Sequence, residues 1–209
     1  PAAEVERIVI VGGYVGSEVR TILDQYPKAE IVIFEPSKRY FPRLQAAYAS
    51  EARVKCLPFA VGDSPGPSVF HEGSLNGVGS LLPLKTQADD QTWIPKTLTP
   101  AESYPVEVVT LDTLSQLADR PIDLLWCDVQ GAELLVLNGA IETLRRCRCL
   151  FLEVATSQLT YDGQCRLADL RAFLKEHGFY LAGIGLCPTG NGNGNSVWIR
   201  LPEVASAPS

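Results

Sequence analysis

The stretch RIVIVGGYVGSEVRTILDQYPKAEIVIFEP, residues 7–36, decides the fold. Ile8-Val9-Ile10-Val11 is an unbroken apolar run, and Gly12-Gly13-Tyr14-Val15-Gly16 turns sharply after it. Val19, Ile22, Leu23 and Tyr26 then recur at i, i+3, i+4 and i+7, one face of a helix over 17–26 that Pro27 ends. Ile31-Val32-Ile33-Phe34 is a second apolar run, closed by Glu35-Pro36. The spacing predicts strand, glycine turn, helix and strand, a right-handed parallel βαβ unit. Neither strand alternates with polar residues, so helices are expected on both faces of the sheet.

Such a unit predicts a ligand. The glycine turn lies at the carboxyl end of the first strand, where open α/β sheets bind small molecules. Gly12 and Gly16 carry no side chain and let a ligand approach the backbone. Free N–H groups at the start of the helix would face it. Glu35 ends the neighbouring strand, 19 residues after Gly16. A carboxylate there suits the vicinal hydroxyls of a ribose. The frame Val11-x-Gly13-x-x-Gly16 keeps only two glycines of the dinucleotide pattern G-x-G-x-x-G. No Lys-Ser or Lys-Thr comes after the turn, which excludes a P-loop. The looser turn tilts the reading from a dinucleotide towards S-adenosylmethionine.

The totals agree with one α/β domain over 1–201 and a flexible tail at 202–209. A net charge of −6 argues against a nucleic-acid partner. No apolar run reaches the ~20 residues that span a bilayer. The six cysteines form no C-x-x-C pair, and no secretory signal is seen at residue 1, so free thiols and a cytoplasmic location are expected.

Outward from the first unit, Ser37 is expected to cap a helix to about residue 50, and 54–61 reads as a third strand. A short antiparallel strand is expected at 68–71. Residues 73–105, with glycine, serine and then four prolines from 83 onward, read as a lid that closes over the ligand and shapes the acceptor pocket. Trp93 within it could stack on a flat or sugar substrate. Strands are expected at 106–111, 122–127, 150–152, 179–186 and 196–201. Helices are expected from Asp112, over 131–146 and over 164–177, the last stopped by Gly178. Residues 188–195 read as a flexible connection.

Asp128-Val-Gln-Gly-Ala-Glu-Leu-Leu-Val-Leu-Asn-Gly-Ala140 closely resembles the D-V-E-G-A-E…L-x-G-A signature of the FkbM-type methyltransferases. Other elements of that family occur in order. Val-Gly-Gly-Tyr-Val-Gly (11–16) resembles its V-G-A-N-x-G turn, and Phe34-Glu35-Pro36 its F-E-P. Ala60-Val61-Gly62-Asp63 resembles A-V-x-D, Ser80-Leu81 an S-L element, and Thr110-Leu111-Asp112 its T-L-D. Leu152-Glu153-Val154 resembles the later strand end. The resemblance implies a class I, Rossmann-like α/β fold: a seven-stranded, mostly parallel sheet with an antiparallel last strand and helices on both faces. It implies S-adenosylmethionine as cofactor and O-methylation of a hydroxylated small molecule, a secondary metabolite or a sugar. Cofactor contacts are then expected from Gly12, Gly13, Tyr14, Gly16, Glu35, Pro36, Ala60, Val61, Ser80 and Asp128. Three positions depart from the family: Ile10 stands for an acidic residue, Tyr14 for Asn and Gln130 for Glu.

Methyl transfer is an in-line displacement in which positioning supplies much of the rate, and a base can take the hydroxyl proton. Asp128 and Glu153 end their strands at the expected crevice, and His71 is a third candidate. Asp128 could instead cap the 131–146 helix. Glu133 sits in that helix's first turn, where the macrodipole favours a carboxylate. Asp128 and Glu133 alone are too few ligands to assign a metal. The residues read as those of an O-methyltransferase. The alternatives are a catalytically weak homologue acting as an interaction protein, motivated by Ile10 and Tyr14, and a nicotinamide-dependent dehydrogenase.

Overall fold

A computed structural model describes residues 5–86, 92, 97–118, 120–157, 159–187 and 192–200. The chain opens with β1 (Arg7–Val11), α1 (Val19–Gln25), β2 (Glu30–Phe34), α2 (Phe41–Tyr48) and β3 (Val54–Leu57). A smaller sheet comes next, from β4 (Ala60–Val61), β5 (Gly66–Gly73), β6 (Gly79–Ser80) and β7 (Pro100–Val109). A 3-10 turn at Leu111–Thr113 and α3 (Ser115–Ala118) lead to β8 (Ile122–Cys127). Then come α4 (Glu133–Asn138), α5 (Ile141–Arg145), β9 (Cys147–Ala155), α6 (Leu167–Glu176), β10 (Phe179–Leu186) and β11 (Asn193–Arg200). Trp93, residues 188–191 of the expected connection and the expected tail at 202–209 lie outside the described residues.

The main sheet has seven strands in the order β10-β11-β9-β8-β1-β2-β3. Only β11 runs against the rest, antiparallel to both β9 and β10. The sheet is mostly parallel with an antiparallel last strand, as expected, although that strand is inserted between β9 and β10. All five residues of β1 are buried. Their alternation serves two cores. Ile8 and Ile10 pack with Val19, Ile22, Leu44 and Tyr48 of α1 and α2 on one face. Val9 and Val11 pack with Leu137, Leu144, Leu170 and Leu174 of α4, α5 and α6 on the other. A strand covered on both sides has no reason to carry polar residues, which is why its sequence reads as continuous apolar.

Several expected elements are corrected. The strand expected over 54–61 splits, because Pro58 has no N–H to give a ladder. β3 pairs with β2, and β4 leaves to pair with β7. The helix expected from Ser37 starts at Phe41, with Pro42 in its first turn, where the missing N–H is harmless. Ser37 Oγ instead accepts from the N–H groups of Arg39 (3.1 Å) and Tyr40 (3.2 Å). The hairpin is longer than expected: β5 runs to Gly73, and β7 begins at Pro100 inside the expected lid. Leu84, Leu98 and Tyr161 form a third small core with Leu75, Val78 and Leu82. Part of residues 73–105 is therefore packed structure.

The helix expected over 131–146 breaks at Gly139. The carbonyl of Gly139 accepts from the N–H of Asp112 at 3.1 Å. The Asp112 carboxylate then accepts from Glu142 N–H (3.0 Å) and Thr143 N–H (2.7 Å), capping α5. A Cβ on Gly139 would lie 2.0 Å from the Gly62 carbonyl oxygen, so two backbones touch where the small sheet meets α4. Gly139→Ala should therefore cost about 3 kcal/mol in urea denaturation. Gly183→Ala, where a Cβ would meet nothing within 4 Å, should change stability little.

Candidate active site

The bend after β1 is tied to both neighbouring strands by its main chain. The N–H groups of Gly12 (3.0 Å) and Gly13 (3.1 Å) both donate to the Phe34 carbonyl at the end of β2. The Val11 carbonyl accepts from Asp128 N–H at 2.9 Å. A Cβ on Gly12 would lie 1.8 Å from the Asp128 carbonyl oxygen, and one on Gly16 would lie 2.6 Å from the Tyr48 ring. One on Gly13 would meet Ile33 at 2.3 Å. The expectation that Gly16 makes room for a ligand is thus corrected: Gly16 makes room for α2, while Gly12 makes room for the end of β8. Gly12 does line the cavity beyond the bend, while Gly13 and Gly16 are not part of its wall.

Tyr14 adopts φ +48, in the left-handed region. That geometry aims its N–H at Glu35 Oε2, 2.6 Å away. Glu35 Oε1 accepts from Ser37 N–H at 2.8 Å. The carboxylate is 6% exposed. Burial pushes its pKa up to about 7, against the opposing pull of the Ser37 and Tyr14 amides. The bend and the strand-end carboxylate are one hydrogen-bonded unit. Neither departure in the β1 turn removes it. Ile10 is a core residue, 5% exposed, and Tyr14 contributes through its main chain.

A cavity of about 230 Å³ opens beside this unit, at the carboxyl ends of β1, β2 and β8. One water needs roughly 10–15 Å³, so the space takes a molecule. Among the expected contacts, Gly12, Tyr14, Glu35, Pro36, Ala60, Val61 and Asp128 line it. Ser80 does not: its buried hydroxyl donates to the Val129 carbonyl at 3.2 Å and ties β6 to the loop after β8. His71 does not either. Strand alternation turns its neighbours Phe70 and Glu72 to the cavity, and its Nδ1 lies 2.9 Å from Ser103 Oγ.

Asp128 lines the cavity and is half-buried. Gln130 Nε2 donates both to Asp128 Oδ1 (2.8 Å) and to Glu153 Oε2 (2.9 Å). Gln130 takes φ +55 to do so, and Gly131 comes next at φ +93. Burial raises the pKa of Asp128, with the Gln130 amide and Glu153 opposing. Burial raises Glu153 well above the carboxylate range, reinforced by the charges of Asp128 and Glu133. Glu153 stands behind Asp128 and is not part of the wall. Glu133 is 3% exposed, and its Oε1 accepts from the N–H groups of Val129 and Gly131, both at 3.2 Å. That carboxylate is taken up in shaping the turn that carries Asp128 and Gln130, and burial pushes its pKa up to about 7.

Three lining groups escape sequence reading. Glu72 on β5 is buried, Tyr40 packs its ring on Tyr14 at 4.5 Å, and Gln130 bridges two carboxylates. Only Gln130 lies within a motif. The others come from the small sheet and the turn before α2, whose pairing with the bend is long-range.

The charged side chains on the cavity wall are Glu18, Glu35, Glu72 and Asp128; no Lys, Arg or His is among the described lining residues. That set fits a ligand that brings positive charge and hydroxyl donors, as S-adenosylmethionine does with its sulfonium, ammonium and ribose. Sheet order and cavity together fit an S-adenosylmethionine-dependent methyltransferase. A fibrillarin from Aeropyrum pernix, solved with bound S-adenosylmethionine, shares the fold at a TM-score of 0.55 and 12% identity, over 95% of this chain and 68% of that one. An S-adenosylmethionine-dependent methyltransferase from Aquifex aeolicus does so at 0.51 and 10%, over 96% and 85%. Residues 11–181 match the methyltransferase FkbM domain, and the chain belongs to that family. It is 31% identical over 177 residues to the 2-O-methyltransferase NoeI of Sinorhizobium fredii, covering 80% of this chain and 69% of the relative.

The raised pKa of Glu35 couples stability to pH. Between pH 4.5 and 7 the unfolded chain releases this proton while the folded chain keeps it. The contribution of Glu35 to stability is therefore fully present below about pH 4.5 and is lost as pH rises to about 7. For the ligand-free protein this amounts to roughly 3 kcal/mol. Glu35→Gln should flatten that slope, seen as a smaller fall in Tm between pH 5 and pH 7.5 than in the wild type.

Proposed function

We propose that this methyltransferase acts on a hydroxyl of a small molecule, a sugar or secondary metabolite, by in-line O-methylation. The observation that carries the reading is Asp128 on the cavity wall, fixed from behind by Gln130 and Glu153. The name of the NoeI relative, a 2-O-methyltransferase, supports oxygen as the acceptor atom. The acidic wall and the net charge of −6 favour an uncharged polar acceptor over a nucleic acid.

S-adenosylmethionine supplies the electrophilic methyl group on its sulfonium. The protein's part is to orient, to exclude water and to manage one proton. Glu35 and the bend hold the nucleoside end. Asp128 Oδ1 is locked by the Gln130 amide, so the carboxylate presents a fixed edge to an acceptor hydroxyl. Burial and the charges of Asp128 and Glu133 push Glu153 towards its protonated form, and the Gln130 amide links it to Asp128. Asp128, the carboxylate on the wall, takes the hydroxyl proton as the new C–O bond replaces the methyl group's bond to sulfur. The described residues of the lid, 73–86 and 97–105, shape the acceptor pocket together with 156–157 and 159–164, joined through the core of Leu84, Leu98 and Tyr161.

The test is transfer of labelled methyl from S-adenosylmethionine to a panel of mono- and oligosaccharides and phenols, with bulk RNA and a protein mixture alongside. Label should enter a hydroxylated small molecule. Label in RNA or protein alone overturns the reading. With the acceptor so found, Asp128→Asn should lower kcat by about 10²–10⁴-fold while calorimetric binding of S-adenosylhomocysteine changes little.

A further inference from the structure

Glu72 is a carboxylate that the family motifs do not include. It sits on β5 of the small sheet, 8% exposed, and lines the cofactor cavity. Its two oxygens are treated unequally. Oε1 accepts from Tyr104 OH at 2.6 Å and from Ser37 Oγ. Oε2 receives no hydrogen bond from the described residues. Lys38, next to Ser37 in sequence, places its Nζ over the Tyr104 ring, 4.2 Å from the centroid. Oε2 is not sealed away from the cavity that Glu72 lines, so its lone pairs are open to a donor from the ligand.

Ser37 indicates which part of the ligand. Its N–H holds Glu35 Oε1, and its hydroxyl holds Glu72 Oε1. The two carboxylates therefore meet on a single residue, one from each sheet. Both oxygens of Glu35 already accept an amide. A vicinal diol offers two donors, and this pair offers two acceptors.

We propose that Glu72 is the second ribose-binding carboxylate, its Oε2 accepting one of the vicinal hydroxyls of the adenosyl group while Glu35 accepts the other. This rests on the reading of Glu35 as a ribose acceptor. The Tyr104 and Ser37 hydroxyls aim the Glu72 carboxylate and are positioning groups.

The test is calorimetry of wild type, Glu72→Gln and Glu35→Gln with S-adenosylhomocysteine and its 2′-deoxy and 3′-deoxy analogues. Glu72→Gln should weaken S-adenosylhomocysteine by about tenfold or more, the scale of a hydrogen bond to a charged group. It should leave one monodeoxy analogue bound as tightly as by the wild type. Glu35→Gln should show the same pattern with the other analogue. If Glu72→Gln weakens all three ligands alike, or none, the proposal fails while the Glu35 reading stands or falls on its own variant. If Glu35→Gln shows no analogue dependence, the ribose reading of Glu35 fails. Should Glu72→Gln not fold, Glu72→Asp keeps the charge, shortens its reach and carries the same expectation.

Discussion

The contact on which the site depends is the one with no clearance: the Asp128 carbonyl occupies the space a side chain on Gly12 would need. Through it, the bend after β1 and the end of β8 share one position. Two amides of the same bend hold the end of β2, and a third holds the Glu35 carboxylate. The wall at Glu35 and the wall at Asp128 are therefore parts of one rigid frame. A methyl transfer demands that kind of frame, because its rate depends on alignment more than on any strong acid or base.

The frame has a thermodynamic consequence. Glu35, Glu133, Asp128 and Glu153 all sit where burial resists their ionisation. Main-chain amides and the Gln130 side chain offset part of that resistance. A core of Val, Ile and Leu on both faces of the sheet carries the stability that these groups erode. The small sheet contributes little to that core, and its value lies in bringing Glu72 to the wall.

Much of the fold was legible because covering both faces of a parallel strand leaves a plain trace: 8–11, 31–34 and 124–127 read as unbroken apolar runs and lie in strands. Asp128 and Glu35 were legible because strand ends at a switch point are where such folds bind ligands. What failed was local. The run over 54–61 hid a change of sheet at Pro58, and the 131–146 periodicity hid a break that a contact with Gly62 imposes. Ser80, in a motif, and His71, on an expected strand, both face away from the cavity, since one step along a strand reverses the side-chain direction. Glu72 was invisible, because its approach to Ser37 depends on pairing between segments more than 30 residues apart.

At position 14 the grip on the carboxylate is made by the backbone. The amide that holds Glu35 exists whatever side chain is attached, provided the chain can enter the left-handed region there. The side chain is released to drift. Here it has become a ring wedged between Tyr40 and the bare backbone of Gly77, 3.4 Å from where a Cβ would sit. A chain can thus differ from a signature letter while its main chain still makes the bond to the carboxylate.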